Sequence, residues 1–378
     1  MNKKKFFIGG AVALGVVIIV IIAGGFFVYK HFVSPFISIS SRLKMPEEFK
    51  TPRVLIGSGF LSKKIFAKNS KLGTITDIAF GKFNPVPEKE IAIVGREGAL
   101  FLDDNRNVKS SVMFHVWARH VDIVDVNGDN ICEYLDRGGS WHDVSLLDHK
   151  GYPIWIYARK QAVDSIAAGD INGDHILEFV VGFNGGGGVR LLDRNGKEQW
   201  KQSDGNVWHV ELVDTDGNGS LEIVHSNARG QITVRDAKGN VIRRSKPTPY
   251  FSDFSLTTWP MKNSKKYALL AEDDTIWVFD FDGKTITQYN APLSGRLGEA
   301  RGIPIKFNSS KPEFFAVIVE YSNWDRSLLY IYGQDNSLVY QEILPEACAS
   351  IASISIDSTD KEALLVGCNG KVWNYSTN

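Results

Sequence analysis

The sequence predicts an all-β fold, a seven-bladed β-propeller of four-stranded blades preceded by a single transmembrane helix, and three observations lead there. An acidic, glycine-containing phrase recurs as Asp125–Glu133 (DVNGDNICE), Asp170–Glu178 (DINGDHILE) and Asp214–Glu222 (DTDGNGSLE), with starts 45 and 44 residues apart. Each copy lies between apolar stretches and is followed by a turn-and-strand phrase: LLDHKGYPIWIY, LLDRNGKEQWKQ or TVRDAKGNVIRR. Near the start, an uncharged run of 24 residues, Phe6 to Tyr29, follows Lys3, Lys4 and Lys5. A period of roughly 40–50 residues holding four short strands is the signature of propeller blades, whose apolar faces are hidden only against neighbouring blades.

Composition agrees. The 378 residues are 43% hydrophobic and 23% charged, a core-forming balance that excludes a disordered or polytopic membrane chain. Lys plus Arg and Asp plus Glu are both 43, so the net charge is zero and the basic footprint of a nucleic-acid binder is missing. Glycine and aromatic enrichment fits many short strands joined by turns. Three scattered cysteines exclude a disulfide scaffold and a cysteine zinc site. Length alone, at roughly 150 residues per domain, points to two or three domains. The repeat replaces that count with one ring.

Residues 1–30 read as a cytoplasmic tip and membrane anchor. About 20 apolar residues span a bilayer, whereas a cleavable signal has an apolar core of roughly 7–15 and small residues at its cut site. This run ends in Phe26, Phe27, Val28 and Tyr29, which favours retention. The three lysines set the N-terminus in the cytoplasm and everything after the span outside it, in the periplasm if the cell is Gram-negative. No lipobox cysteine follows. Residues 31–52, with Pro35, Pro46 and Pro52, form a stalk, and 53–378 form the propeller.

Degenerate copies of the repeat complete the ring. One precedes the acidic phrases around Glu90, and three follow, in SKKYALLAEDDTIWVFDFDGKTI, around Glu313 and around Glu362. That makes seven units, with six or eight blades as the alternatives. The last unit ends at its third strand, KVWNYS. Ser62 to Phe80 aligns without gaps with Gly196 to Asp214, setting Phe66 where Trp200 stands. Residues 63–68 are therefore expected to supply the missing outer strand, which leaves no open sheet edge at the seam.

The acidic phrases place oxygen-bearing side chains at positions one, three, five and nine. These are Asp125, Asn127, Asp129 and Glu133; Asp170, Asn172, Asp174 and Glu178; and Asp214, Asp216, Asn218 and Glu222. Ca²⁺ takes about six to eight oxygens, and the carbonyls of Ile131, Ile176 and Ser220 stand where a backbone ligand is usual. The pattern resembles the FG-GAP/VCBS repeat, the calcium-loop blade of integrin α-chains and of many bacterial surface proteins. That resemblance implies a propeller with Ca²⁺ as cofactor. Position nine is Glu where the family usually has Asp, and the other four blades lack the acids. An acidic Asx-type hairpin turn is the alternative for the same residues. The phrases LLDRNGKEQW and LLDHKGYPIW also resemble quinoprotein-like propellers, which supports the fold.

The face opposite the acidic loops is built from second-to-third-strand loops and inter-blade connections. Trp141, His142, Trp324, Asp325 and Arg326 are its candidate partner-binding residues, because aromatic and arginine side chains on loops anchor protein interfaces. The connections add Trp117, Arg119, Arg159, Lys160, Trp208, Tyr250, Arg296 and Arg301, with ordinary inter-blade packing as the alternative. His120, Asp122, His209 and Glu211 lie on first strands and are expected along the channel, as inter-blade hydrogen bonding or as a weak cation site or catalytic acid. Cys348 and Cys368 flank a hairpin turning near Ser358 and form a candidate disulfide. Cys132 reads as a buried apolar side chain.

These features lead to the expectation of a membrane-anchored, extracytoplasmic, non-enzymatic module holding a protein or glycan partner, with no nucleic acid. The alternatives are an accessory structural subunit of a larger envelope complex, or a carbohydrate-active or quinoprotein-like enzyme. The chain has no GxSxG, HExxH or P-loop motif. It also lacks the adjacent cysteine pair and the full docking motifs of quinoproteins.

Overall fold

The computed structural model describes residues 44–83, 89–138, 142–157, 163–247, 249–259, 265–295, 298–307, 314–356 and 361–377. The expected anchor lies outside them, as does the stalk up to residue 43. Among the described residues no helix is long and apolar enough to cross a membrane. The chain divides into a unit ending at Thr51 and a unit from Pro52 onward. In the first, the described residues hold one 3-10 turn, Glu47–Lys50, closed by a Lys50–Glu47 ion pair of 2.5 Å.

In the second unit the described residues form seven antiparallel sheets. Blade one is β3 (Ile75–Gly81), β4 (Glu90–Gly95), β5 (Gly98–Leu102) and β6 (Val108–Met113). Blade two is β7 (Val121–Val124), β8 (Glu133–Asp136), β9 (Val144–Leu147) and β10 (Pro153–Tyr157). Blade three is β11 (Val163–Gly169), β12 (Glu178–Phe183), β13 (Gly188–Leu192) and β14 (Glu198–Gln202). Blade four is β15 (Val210–Val213), β16 (Glu222–His225), β17 (Ile232–Arg235) and β18 (Val241–Ser245). Blade five is β19 (Ser255–Thr257), β20 (Tyr267–Glu272), β21 (Thr275–Phe279) and β22 (Thr285–Asn290).

The last two blades borrow strands from the start of the unit. Blade six, β23 (Glu299–Ile305), β24 (Phe314–Tyr321), β25 (Arg326–Tyr332) and β26 (Leu338–Leu344), gains a fifth strand in β1 (Arg53–Ile56). Arg53 pairs with Ile343 there, a pairing the repeat did not foretell because β1 belongs to no repeat unit. Blade seven is β27 (Ser350–Ser355), β28 (Glu362–Cys368), β29 (Lys371–Ser376) and, from the other end of the chain, β2 (Ser62–Lys68). Its register runs from Ser62 opposite Ser376 to Lys68 opposite Lys371.

Burial follows position in the blade. Second and third strands such as β4, β5 and β12 are buried at every residue, because both faces of the sheet meet a neighbouring blade. Fourth strands β10, β14 and β18 share one pattern, with outward residues exposed and the third residue half-buried. The core lies between sheets: Val94 and Phe101 of blade one pack with Val121 and Tyr134 of blade two. Similar clusters join blade two to three, three to four and four to five. Trp259 stacks on Phe315 at 5.7 Å across blades five and six. Two more clusters join six to seven and seven back to one, so the ring is closed by packing. Blades approach closely where side chains are small. A Cβ on Gly182 of β12 would stand 2.8 Å from Val207 and 2.9 Å from Val210 of the next blade.

A disulfide joins Cys348 to Cys368 at the open end of the β27–β28 hairpin. Cys132 is a free thiol, buried beside Tyr134, and burial pushes it up to about 11.

Candidate functional site

Two ends of the ring carry chemistry. The first bears the loops from β7 to β8, β11 to β12 and β15 to β16, which are the three acidic phrases, and their hydrogen bonds repeat atom for atom. Oδ1 of Asp125 accepts from the backbone N–H groups of Gly128 (2.8 Å) and Asp129 (3.2 Å), and Oδ2 from Asn130 (2.9 Å). Asp170 accepts likewise from Gly173, Asp174 and His175, and Asp214 from Gly217, Asn218 and Gly219. Position five caps the backbone two residues on: Asp129 to Ile131, Asp174 to Ile176 and Asn218 to Ser220, all at 2.7–2.8 Å. Position nine closes the loop, since Glu133, Glu178 and Glu222 accept from the N–H of Val126, Ile171 and Thr215.

This wrapping requires left-handed backbone at positions four and six. Gly128, Gly173 and Gly217 have φ of 74°, 81° and 86°, and Asn130, His175 and Gly219 have 63°, 66° and 88°. Position six is therefore drawn from residues that tolerate αL, which accounts for its variation. The backbone bonds are those of an Asx turn, and the remaining donor set is all oxygen. In the third loop the carboxylates of Asp214, Asp216 and Glu222 come within 4.8 Å of one another, a set that fits a hard cation. In each loop an Asn amide also donates to an acid of the loop, Asn127 to Asp129 at 3.0 Å and Asn218 to Asp216 at 3.1 Å, and in the second Asn172 donates both to Asp174 at 3.2 Å and to Glu178 at 2.8 Å. The N–H groups of Gly219, Gly217 and Asn218 hold the Asp214 carboxyl below the usual range. Burial lifts Glu133 and Glu178.

The other end is the channel mouth, a cavity of about 590 Å³. Arg137, just past β8, ties two of the expected channel acids together: Nη2 meets Glu211 Oε1 at 2.7 Å and Nη1 meets Asp122 Oδ2 at 3.4 Å. His209 Nε2 lies 3.0 Å from the same Glu211 oxygen. Burial alone raises a carboxyl, but Arg137 and His209 overcome it and bring Glu211 to about 2. Asp77, on the first strand of blade one, has the opposite fate: burial and the neighbouring Asp122 raise it to about 7. Its Oδ2 accepts from Ile123 N–H at 3.2 Å. Burial drives His120 down to about 3, so its imidazole is neutral. Glu320, on β24, is raised to about 7 by burial and then by Glu299.

Of the candidate partner residues, Trp141 lies outside the described residues, as do Arg159, Lys160 and Arg296 of the inter-blade set. His142 packs against Trp117 at 4.6 Å, and Trp117 is 64% exposed. Trp324 is half-buried and stacks on Tyr321 at 5.0 Å. Asp325 and Arg326 hold their own blade together. Asp325 Oδ1 accepts from Ala347 N–H at 3.0 Å, and Arg326 Nη1 donates to the carbonyls of Asp325 (2.7 Å) and Pro345 (2.9 Å). The structure therefore brings His142 together with Trp117 and gives Asp325 and Arg326 structural contacts.

Sequence reasoning passed over Arg96, Arg137, Glu299 and Glu320. Glu320 had a signal, a lone carboxylate ending the apolar strand FFAVIVEY. It also passed over a charged cluster at the blade-three to blade-four junction. There Asp204 Oδ2 lies 2.8 Å from Arg235 Nη2 and 3.1 Å from His225 Nε2, and Oδ1 lies 2.8 Å from Arg244 Nη2.

Seven sheets around a charged channel define this chain as a seven-bladed β-propeller. No protein-family profile matches the chain, and no curated protein does. Solved structures do resemble it in fold. BBS1N in complex with ARL6DN, soaked with lead, superposes with a TM-score of 0.53 at 11% identity, covering 83% of this chain and 96% of that one. A mercury-soaked crystal of the same complex gives 0.53 at 12%, covering 85% and 95%. BamB from Moraxella catarrhalis gives 0.45 at 14%, covering 80% and 86%.

Proposed function

We propose that this chain is a membrane-tethered propeller that holds a protein partner outside the cytoplasm, without enzymatic activity, and that Ca²⁺ stiffens its acidic loops. The observation that carries the partner reading is Trp117. An indole left 64% exposed against His142, with Arg119 of the cavity wall 6.0 Å from its ring, is the kind of rigid aromatic anchor that interfaces bury. BBS1N, a propeller of similar fold, was crystallised with the protein ARL6DN, and the proposal gives this propeller the same kind of occupant. The tether rests on the Phe6–Tyr29 run and its flanking lysines. The calcium reading rests on the three matching loops and on the convergence of Asp214, Asp216 and Glu222, and it is here that the FG-GAP/VCBS resemblance has its support.

The test is site-specific photo-crosslinking of the full chain in its native cells. A crosslinker at Trp117 should capture one defined protein, and the same group at Val108, on the outer strand of blade one, should not. Failure at Trp117, or equal capture from both positions, sinks the partner reading. Proteolysis of the propeller in intact cells stripped of any outer barrier tests the tether, since a cytoplasmic propeller would survive it.

A further inference from the structure

The channel mouth holds a cluster that neither the acidic loops nor the aromatic face uses. His120 stands just before β7, Glu299 opens β23 and Glu320 lies near the end of β24. One ring nitrogen of His120 and one oxygen of each glutamate lie within 4.8 Å of one another. Glu320 is only 4% exposed, yet both of its carboxylate oxygens lack a hydrogen-bond donor. His120 Nδ1 is buried without a partner as well. Arg96 Nη2 and Arg301 Nη1 each stand 4.0 Å from a Glu320 oxygen, beyond hydrogen-bond reach.

Inside a protein such an arrangement is costly, because a buried carboxylate without hydrogen-bond donors forfeits its hydration and keeps only the attraction of Arg96 and Arg301 at 4.0 Å. A cation bound between the three side chains removes that cost. The sign of the surroundings permits it. The cavity wall carries five carboxylates, Asp122, Asp164, Glu211, Asp253 and Glu299, against four arginines, before Glu320 is counted. Arg137 is already engaged by Asp122 and Glu211.

We infer that His120, Glu299 and Glu320 form a binding site for a first-row divalent metal ion of the Zn²⁺ type at the mouth of the channel. One neutral imidazole with two carboxylates selects against Ca²⁺ and Mg²⁺, which prefer all-oxygen sets, and suits Zn²⁺. His120 Nε2 and Glu299 Oε2 are 4.0 Å apart. Ligands about 2.1 Å from a tetrahedral ion are about 3.4 Å apart, so the side chains close in by less than about 1 Å each. Glu299, with its side chain 54% exposed and Arg301 Nη2 3.9 Å from its Oε2, has room to make that movement. Three protein ligands leave one position open to the cavity, for water or for a group brought by a bound partner. The site would also clamp blade two to blade six across the ring.

Zn²⁺ titration of the untagged full chain tests this, by calorimetry after chelation and with millimolar Ca²⁺ present to occupy the acidic loops. The expected result is one Zn²⁺ per chain, weakened about tenfold or more by Glu320→Gln and by His120→Gln, and unchanged by Asp214→Asn. Glu299→Gln, at an exposed side chain, supplies the same comparison if a buried variant fails to fold. Co²⁺ in place of Zn²⁺ should give visible ligand-field absorption that His120→Gln changes. Absence of binding overturns the proposal, and so does binding that all three ligand variants leave undiminished.

Discussion

Thr76 and Val121, one repeat and one blade apart, are bonded to each other twice: Thr76 Oγ1 donates to the Val121 carbonyl at 2.8 Å and accepts from its N–H at 3.1 Å. Hydroxyls at matching places on other first strands link further blades. Ser165 accepts from Val210 N–H at 3.3 Å, Ser255 donates to the Ala300 carbonyl at 2.7 Å, and Ser350 donates to the Ile75 carbonyl at 3.2 Å across the seam. Innermost strands have no sheet neighbour on the channel side, so these side chains tie them to the next blade. Thr76→Val keeps the shape and strands a buried backbone pair, and it should cost about 1–3 kcal/mol. Thr76→Ser should cost much less. Urea unfolding midpoints of the two variants decide the matter.

The rim has its own inter-blade bonds. Trp155 Nε1 donates to the Arg194 carbonyl at 3.0 Å, and Trp200 Nε1 to the Ala237 carbonyl at 3.0 Å, each in the outer turn of the following blade. Each indole lies against a glycine of that turn, Gly196 or Gly239, where a Cβ would come within about 3 Å of the ring. Trp200→Phe should cost about 1 kcal/mol for the lost bond. Gly239→Ala, at φ 82° and against the Trp200 ring, should cost at least as much in the same unfolding assay.

The Cys348–Cys368 bond closes a loop across 20 positions. Cross-linking a loop of that size restricts the unfolded chain, and its loss should lower stability by about 3 kcal/mol. The double variant Cys348→Ser/Cys368→Ser should match reduced wild type in urea and fall below the oxidised protein. Equal stability with and without reductant would show that the bond does not form in solution.

Two channel carboxyls should tilt the pH dependence in opposite directions. Glu211 is lowered from 4.5 to about 2, so its contribution is complete above pH 4.5 and is lost as pH falls toward 2. Asp77 is raised from 3.8 to about 7, so its contribution is complete below pH 3.8 and is lost as pH rises through 7. Asp77→Asn keeps the acceptor for Ile123 and removes the titration. Relative to wild type it should gain on the order of 2 kcal/mol between pH 4 and pH 8. Glu211→Gln should lose on the order of 2–3 kcal/mol at pH 7, with the deficit fading below pH 4.5. Unfolding midpoints across pH 3–8 read both slopes.

Calcium should raise the thermal midpoint if the acidic loops bind it. Extracellular-type sites have dissociation constants of about 10⁻⁴–10⁻³ M, so about 10 mM CaCl₂ stabilises by roughly 1–3 kcal/mol per site, a shift of several degrees. Asp214→Asn with Asp216→Asn removes two of the three converging carboxylates and should reduce that shift. An unchanged midpoint in wild type would leave the loops as Asx turns alone.

The repeat and the acidic phrases were legible because each depends on local spacing. Asp125, Asp170 and Asp214 bond to amides within five residues, so a nine-residue phrase contains the whole loop. The partner residues were less so. Asp325 and Arg326 looked like free loop charges, but their contacts are Ala347 and Pro345, about 20 residues away and read only in the folded blade. Strand β1 on blade six was not legible either, since nothing local marks which sheet edge an extra strand will join.

By itself the sequence determined the blade and the chemistry of the acidic turns, because alternating apolar strands of fixed period have one efficient way to hide their faces; the seven sheets of the folded ring settled the count that the repeat had left between six and eight. Only the tertiary structure decided what meets at the channel. Arg137, Asp122 and Glu211 come from two blades, and His120, Glu299 and Glu320 from blades on either side of the seam. Their charge states follow from burial and from neighbours as far away in the chain as Arg96 is from Glu320. Coulomb energy depends on distance in space and on the surrounding dielectric, and neither quantity is written in the order of the residues.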